Sequence, residues 1–253
     1  MWILYFLKDW GKVSSILCPW TPLKGLSVIC TVVKEKTLPQ TLSLIKKALF
    51  AEIRLDLSSY TKDETAVIFS SHPRLIATYR SSDSVSDETR TAALLHAVKH
   101  GAWAVDLDLS DSFFLKEKIK RELSLGSGQL MLSYHNYETT PSSACLEEII
   151  TRCSAEGATL IKIVTTAHSR EEVLRILSLY RFSLIPPARL ITFAMGAPGR
   201  ISRLAAPFLG APFTYAAADP SCKTAPGQLT YDELKQIYSI LLPRFSEKEA
   251  DNI

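Results

Sequence analysis

No dense block of lysine and arginine occurs in this chain: 29 basic and 26 acidic residues leave a formal net charge of +3 over 253 residues. A nucleic acid is therefore not an implied partner. Cysteine is sparse and unpaired in pattern, with Cys18, Cys30, Cys145, Cys153 and Cys222 scattered, an odd total and no C-x-x-C. That usage excludes a disulfide framework and fits a reduced, cytoplasmic compartment, and no His/Cys spacing supports a metal site. A membrane-spanning run is missing too. Met1 to Leu7 is apolar, but it is too short, and Lys8, Asp9 and Lys12 follow at once. No clear small-residue cleavage site comes after it. Residues 1–24 read as a poorly packed extension, with a weak interfacial anchor as the alternative. Neither G-x-G-x-x-G nor a P-loop is present to favour a doubly wound nucleotide-binding sheet.

What is present is a core and a repeating pattern. Hydrophobic residues make up 47% of the chain, enough for one large domain. From residue 25 onward, apolar runs rich in β-branched residues alternate with amphipathic stretches of helical length. Strands are expected at 26–33, 50–57, 74–80, 102–109, 129–135, 159–165, 189–195 and 213–217. Helices are expected at 38–49, 63–69, 87–100, 113–123, 145–156, 170–180, 201–208 and 231–242. Gly101 and Gly157 follow two of the helices and read as their stops. Eight strand–helix pairs in this length predict an α/β fold, a single-domain (β/α)8 barrel over residues 25–245 with a short tail at 246–253. No linker or low-complexity segment divides it.

Charge appears where such strands should be apolar. Lys162 lies in Leu-Ile-Lys-Ile-Val, a run that reads as a strand buried on both faces. A buried ammonium without a partner tends to lose its proton, and a free amine attacks carbonyls. Taken alone, the run is equally compatible with an edge strand and a solvated lysine. Glu52, Arg54 and Asp56 alternate in Ala-Glu-Ile-Arg-Leu-Asp-Leu, which puts all three on one strand face and predicts an interior charge network. Arg80 ends the third strand. Asp106 and Asp108 share a face of the fourth and read as ordinary strand-end hydrogen bonders. Ser133 and His135 share a face of the fifth, and His135 is a candidate acid/base beside the strand of Lys162. Arg203, after the seventh strand, could hold a carboxylate through its planar fork or be a surface helix arginine. Residues 218–228 after the eighth strand, ending Lys-Thr-Ala-Pro-Gly-Gln, read as a shaped loop over the barrel mouth.

Together, Glu-Ile-Arg-Leu-Asp, Thr-Tyr-Arg-Ser, Ser-Tyr-His-Asn-Tyr-Glu-Thr-Thr-Pro, Ile-Lys-Ile, Gly-Arg-Ile-Ser-Arg-Leu and Thr-Ala-Pro-Gly-Gln resemble the type I 3-dehydroquinate dehydratases in order and spacing, from about residue 26 to 241. The resemblance implies a cofactor-independent hydro-lyase that takes water from 3-dehydroquinate through a lysine Schiff base. It implies Lys162 as the imine-forming lysine and His135 as the acid/base. Glu52, Arg54, Arg80, Arg203, Thr224 and Gln228, and more loosely Thr31, are implied as substrate-binding residues. A homodimer is likewise implied. One departure concerns the loop after Arg80, where the family often has a glutamate and this chain has Ser84. The competing expectations are another Schiff-base barrel enzyme, such as a class I aldolase, and an inactive barrel that serves as a binding subunit.

Overall fold

The computed structural model describes residues 28–34, 36–182, 189–225 and 227–241. The expected extension at 1–24 and tail at 246–253 lie outside the described residues. Within them, eight strands and eight α-helices alternate. The strands are β1 (Ile29–Val33), β2 (Phe50–Arg54), β3 (Leu75–Thr78), β4 (Ala104–Asp108), β5 (Gln129–Asn136), β6 (Leu160–Thr166), β7 (Arg189–Met195) and β8 (Thr214–Ala217). The helices are α1 (Leu38–Ile45), α2 (Lys62–Ser70), α3 (Asp87–Lys99), α4 (Phe113–Leu123), α5 (Ser143–Ala155), α6 (Arg170–Ser178), α7 (Gly196–Ala205) and α8 (Tyr231–Leu241). No described helix is long and apolar enough to cross a membrane.

All strand pairings are parallel, in the order β7-β6-β5-β4-β3-β2-β1-β8. The sheet curls into a nearly closed (β/α)8 barrel. Its two end strands, β7 and β8, are not neighbours in the ladder. Side chains fill that seam, with the rings of Phe193 and Tyr215 6.1 Å apart.

Period-two alternation sorts each strand into two faces. Outward residues such as Ile53, Ala77, Val105, Leu107, Leu132, Ile161 and Ile163 pack with the helices in the largest core cluster. Inward residues form a second cluster that includes Cys30, Phe50, Ile76, Ala104, Met131, Leu160, Ile191 and Phe213. Phe50 stacks obliquely on Phe213 at 4.9 Å and on Trp103 at 5.2 Å. The inward positions nearer the carboxyl ends are polar: Glu52, Thr78, Asp106, Ser133 and Lys162 are all buried. An apolar floor therefore supports a charged upper layer, the usual place for chemistry in this architecture.

Several expected boundaries move. The second strand stops at Arg54, and Leu55–Leu57 is a 3₁₀ turn, so Asp56 leaves the strand face assigned to it. The turn folds Asp56 back onto Arg54, whose Nε and Nη2 donate to its two carboxylate oxygens at 3.0 and 2.7 Å. Helix α1 ends at Ile45, short of 49. Helix α7 starts at Gly196, five residues before the expected start at 201. Its Pro198 lies in the first turn, where the backbone N–H groups have no intrahelical acceptor to lose. Gly101, just after α3, has φ +103°, as the helix stop there requires, and an added Cβ would meet the Phe69 carbonyl oxygen at 3.1 Å.

Candidate active site

The carboxyl ends of the strands surround a cavity of about 550 Å³, counting its open mouth. Of the residues singled out in the sequence, Lys162, His135, Glu52, Arg54, Arg80, Arg203, Thr224 and Gln228 all line it. Thr31 does not. Alternation along β1 gives the cavity to its neighbour Val32, and the Thr31 hydroxyl is buried without a hydrogen-bond partner among the described residues.

Lys162 is 6% exposed and its amine is not alone. Nζ donates to Asp106 Oδ2 at 3.0 Å and to Glu52 Oε1 at 3.3 Å, and it lies 4.1 Å from the centre of the Tyr215 ring. The unpartnered amine expected from sequence is thus replaced by an amine held between two carboxylates. Asp106, fully buried, is also no ordinary strand-end residue: the same Oδ2 accepts from Arg80 Nη2 at 2.6 Å. Burial opposes its ionisation, but Arg80 and Lys162 outweigh burial and hold the carboxyl well below the usual range. Arg80 Nη1 donates to Ser133 Oγ at 2.8 Å, and Thr78 Oγ1 donates to Glu52 Oε1 at 2.8 Å. Two acidic residues at period two, pointing the same way as Lys162, were the available signal for Asp106. A sequence cannot say that their face is the inner one.

His135 ends the polar rim of β5. Burial pushes its imidazole below the ordinary value, with Asp108 pulling the other way and Arg80 and Lys162 adding to the fall. Its ring stacks with Tyr137 at 6.1 Å, and Tyr137 lines the cavity although sequence reasoning passed over it.

Arg203 is carried by α7, which lies hard against β7. An added Cβ on Gly199 would fall 2.6 Å from the backbone of Ala194, and Ser202 Oγ accepts from the Ala194 N–H at 2.8 Å. Arg203 as a residue is 2% exposed, and its guanidinium rests over the Phe193 ring at 4.3 Å and pairs with no carboxylate among the described residues. Its Nε has no hydrogen-bond partner among them. Burial without a counter-charge lowers its pKa to about 10. A buried cation in this condition is a receptor for an anion. In the same cavity, the Thr224 N–H and hydroxyl donate to Gln228 Oε1 at 2.7 and 3.2 Å, and the Gln228 amide nitrogen donates to no acceptor among the described residues. The loop that carries both is fastened at its base, where Lys36 Nζ meets Asp219 at 3.0 Å and Ser221 at 2.9 Å. The short loop after Arg80 turns at Ser82–Val85 and contributes nothing to the cavity lining.

The arrangement combines a buried amine, an imidazole and an anion receptor in one cup, and known proteins share its chain. The family model described as type I 3-dehydroquinase matches residues 29–243. A 3-dehydroquinate dehydratase from Dehalococcoides mccartyi is 33% identical over 214 residues, covering 83% of this chain and 94% of the relative. One from Pyrococcus abyssi is 33% identical over 222 residues, covering 85% and 98%. A crystal structure of type I 3-dehydroquinate dehydratase from Clostridium difficile, with covalently modified comenic acid, superposes with a TM-score of 0.75 at 22% identity, over 86% of this chain and 93% of that one, and speaks for the fold. With the family model matched over most of the chain and relatives at 33% identity covering more than four fifths of it, this chain belongs to the type I 3-dehydroquinase family.

Proposed function

We propose that this chain dehydrates 3-dehydroquinate to 3-dehydroshikimate through an imine on Lys162. The observation that carries the reading is the shared cavity: a buried amine, the His135 imidazole and an Arg203 guanidinium with no carboxylate partner among the described residues all open into it. Arg203 and the Gln228 amide bind the substrate carboxylate. Glu52, Arg54 and Arg80 take ring hydroxyls and hold the field around the amine. The amine sheds a proton before attack, and the His135 imidazole that opens into the same cavity is the base for it. Nζ adds to the ring ketone and the carbinolamine loses water. The iminium then draws electrons from the neighbouring carbon, so the C–H there becomes acidic. His135 takes that proton. The enamine electrons expel the hydroxyl one carbon further on, and His135 returns a proton to it as water. Hydrolysis of the conjugated imine frees the product and Lys162.

Borohydride reduction in the presence of 3-dehydroquinate tests the route. The expected result is a mass increase that maps to the peptide bearing Lys162, together with an enone absorbance that grows with turnover. Lys162→Ala should show neither, with turnover lowered by about 10⁴-fold or more. Near-normal turnover in that variant would refute the imine. Cleavage of a carbon–carbon bond in place of water loss would point to an aldolase.

A further inference from the structure

We propose that Asp108 is a positioning residue for His135, fixing which imidazole nitrogen faces the reacting carbon. The inference rests on the dehydratase reading of the site. Asp108 does not line the cavity, so it touches no substrate and acts only through the histidine. Its Oδ2 lies 3.6 Å from His135 Nδ1. Its other oxygen is already committed: Oδ1 accepts from the Ser110 N–H at 3.0 Å and the Ser110 hydroxyl at 2.6 Å. The carboxylate is therefore clamped along one edge and presents the other to the ring. Burial opposes its charge, but His135 and Ser110 outweigh it and hold the pKa at about 2, so a full negative charge faces Nδ1 at any working pH.

The clamp is itself anchored. The Asp108 N–H donates to Asp111 Oδ2 at 2.9 Å, and Asp111 Oδ1 accepts from Arg90 Nη2 at 2.8 Å. Arg90 also donates through Nε and Nη2 to the Tyr79 carbonyl, at 3.2 and 3.0 Å. One buried guanidinium thus ties the end of β4, with Asp108, to the residue before Arg80. At 3.6 Å the carboxylate is an ionic neighbour of Nδ1, and a proton kept on Nδ1 by that charge leaves Nε2 to accept one from the imine-activated carbon.

Two measurements on the full chain decide the matter. The first is steady-state kinetics of Asp108→Asn across pH. Its expected kcat is about 10- to 100-fold lower, with KM little changed and the borohydride adduct on Lys162 still formed. The charged groups facing the imidazole are Asp108, Asp106, Arg80 and Lys162. Removing one negative charge makes the imidazolium less stable, so the acid limb of kcat/KM moves to lower pH. A kcat within twofold of the parent with an unmoved acid limb overturns the proposal. The second is imidazole nitrogen NMR, with the His135 signals assigned by His135→Gln. The parent's neutral His135 should carry its proton on Nδ1, and Asp108→Asn should lose that preference. A parent protonated on Nε2 overturns the proposal whether or not the variant folds. The tautomer reads out without turnover, so a parent that fails to dehydrate 3-dehydroquinate sinks the functional reading alone.

Discussion

Arg203 and Lys162 occupy the same cup under opposite electrostatic conditions. Both lie over an aromatic ring, but Lys162 has carboxylates at 3.0 and 3.3 Å, whereas Arg203 has no acid partner among the described residues. The lysine is held in one place by its partners, and under the proposed function the arginine takes the charge of the substrate carboxylate. An ion pair formed in that desolvated setting is among the stronger single contacts a ligand can gain. Arg203→Ala should therefore raise KM and lower kcat/KM by about 10- to 100-fold. The Lys162 imine should still be trapped at high substrate concentration. Arg203→Lys should recover little, because an ammonium lacks the planar fork and the stacking over Phe193. Kinetics of the two variants check this, and an unchanged KM in Arg203→Ala would remove the arginine from substrate binding.

At the scale of the element, α7 shows how backbone packing places that arginine. Gly199 lets the helix approach β7 so closely that a single methyl would overlap the Ala194 carbonyl. Gly199→Ala should cost about 1–3 kcal/mol of stability and shift Arg203 outward, so thermal melting falls and KM rises together. Equal melting temperatures would show that the contact relaxes at no cost. This helix also marks where the sequence stopped being legible. Hydrophobic periodicity revealed that a helix follows β7, but Ala-Pro-Gly looks like loop until one knows that its donors are unused. Asp56 failed in a similar way, since alternation cannot announce that a strand will turn after Arg54. Alternation did place Glu52, Arg54, Ser133 and His135 together. It could not rank Thr31 against Val32, because which face of a strand is inside depends on the neighbouring strands.

For the molecule as a whole, a charged layer inside the barrel makes stability depend on acid. Asp106 and Asp108 are both depressed in the fold, Asp108 to about 2. A carboxyl depressed on folding stabilises above its unfolded value, near about 4, and that contribution disappears as pH falls through the folded value. Asp111 acts in the opposite sense: burial raises it, against the pull of Arg90, so its contribution is present below its unfolded value and lost as pH rises through the folded one. The two inner depressed groups, with Asp219 outside the barrel also lowered to about 2, outweigh the one raised group and give a net loss below about pH 4. Denaturant midpoints should drop over that range, and a flat profile down to pH 2 would show that the inner ion pairs contribute nothing to folding.

The seam between β7 and β8 bears on the same layer. Elsewhere around the barrel, adjacent strands are laced by main-chain hydrogen bonds, but across this line the lacing stops. β7 leads into the helix with Arg203, and β8 leads into the loop with Thr224 and Gln228. The two jaws proposed to grip a carboxylate thus hang from opposite lips of a slit. A substrate held by both would act as a cross-brace, closing by its own charge the part of the cylinder that the backbone leaves unbuttoned.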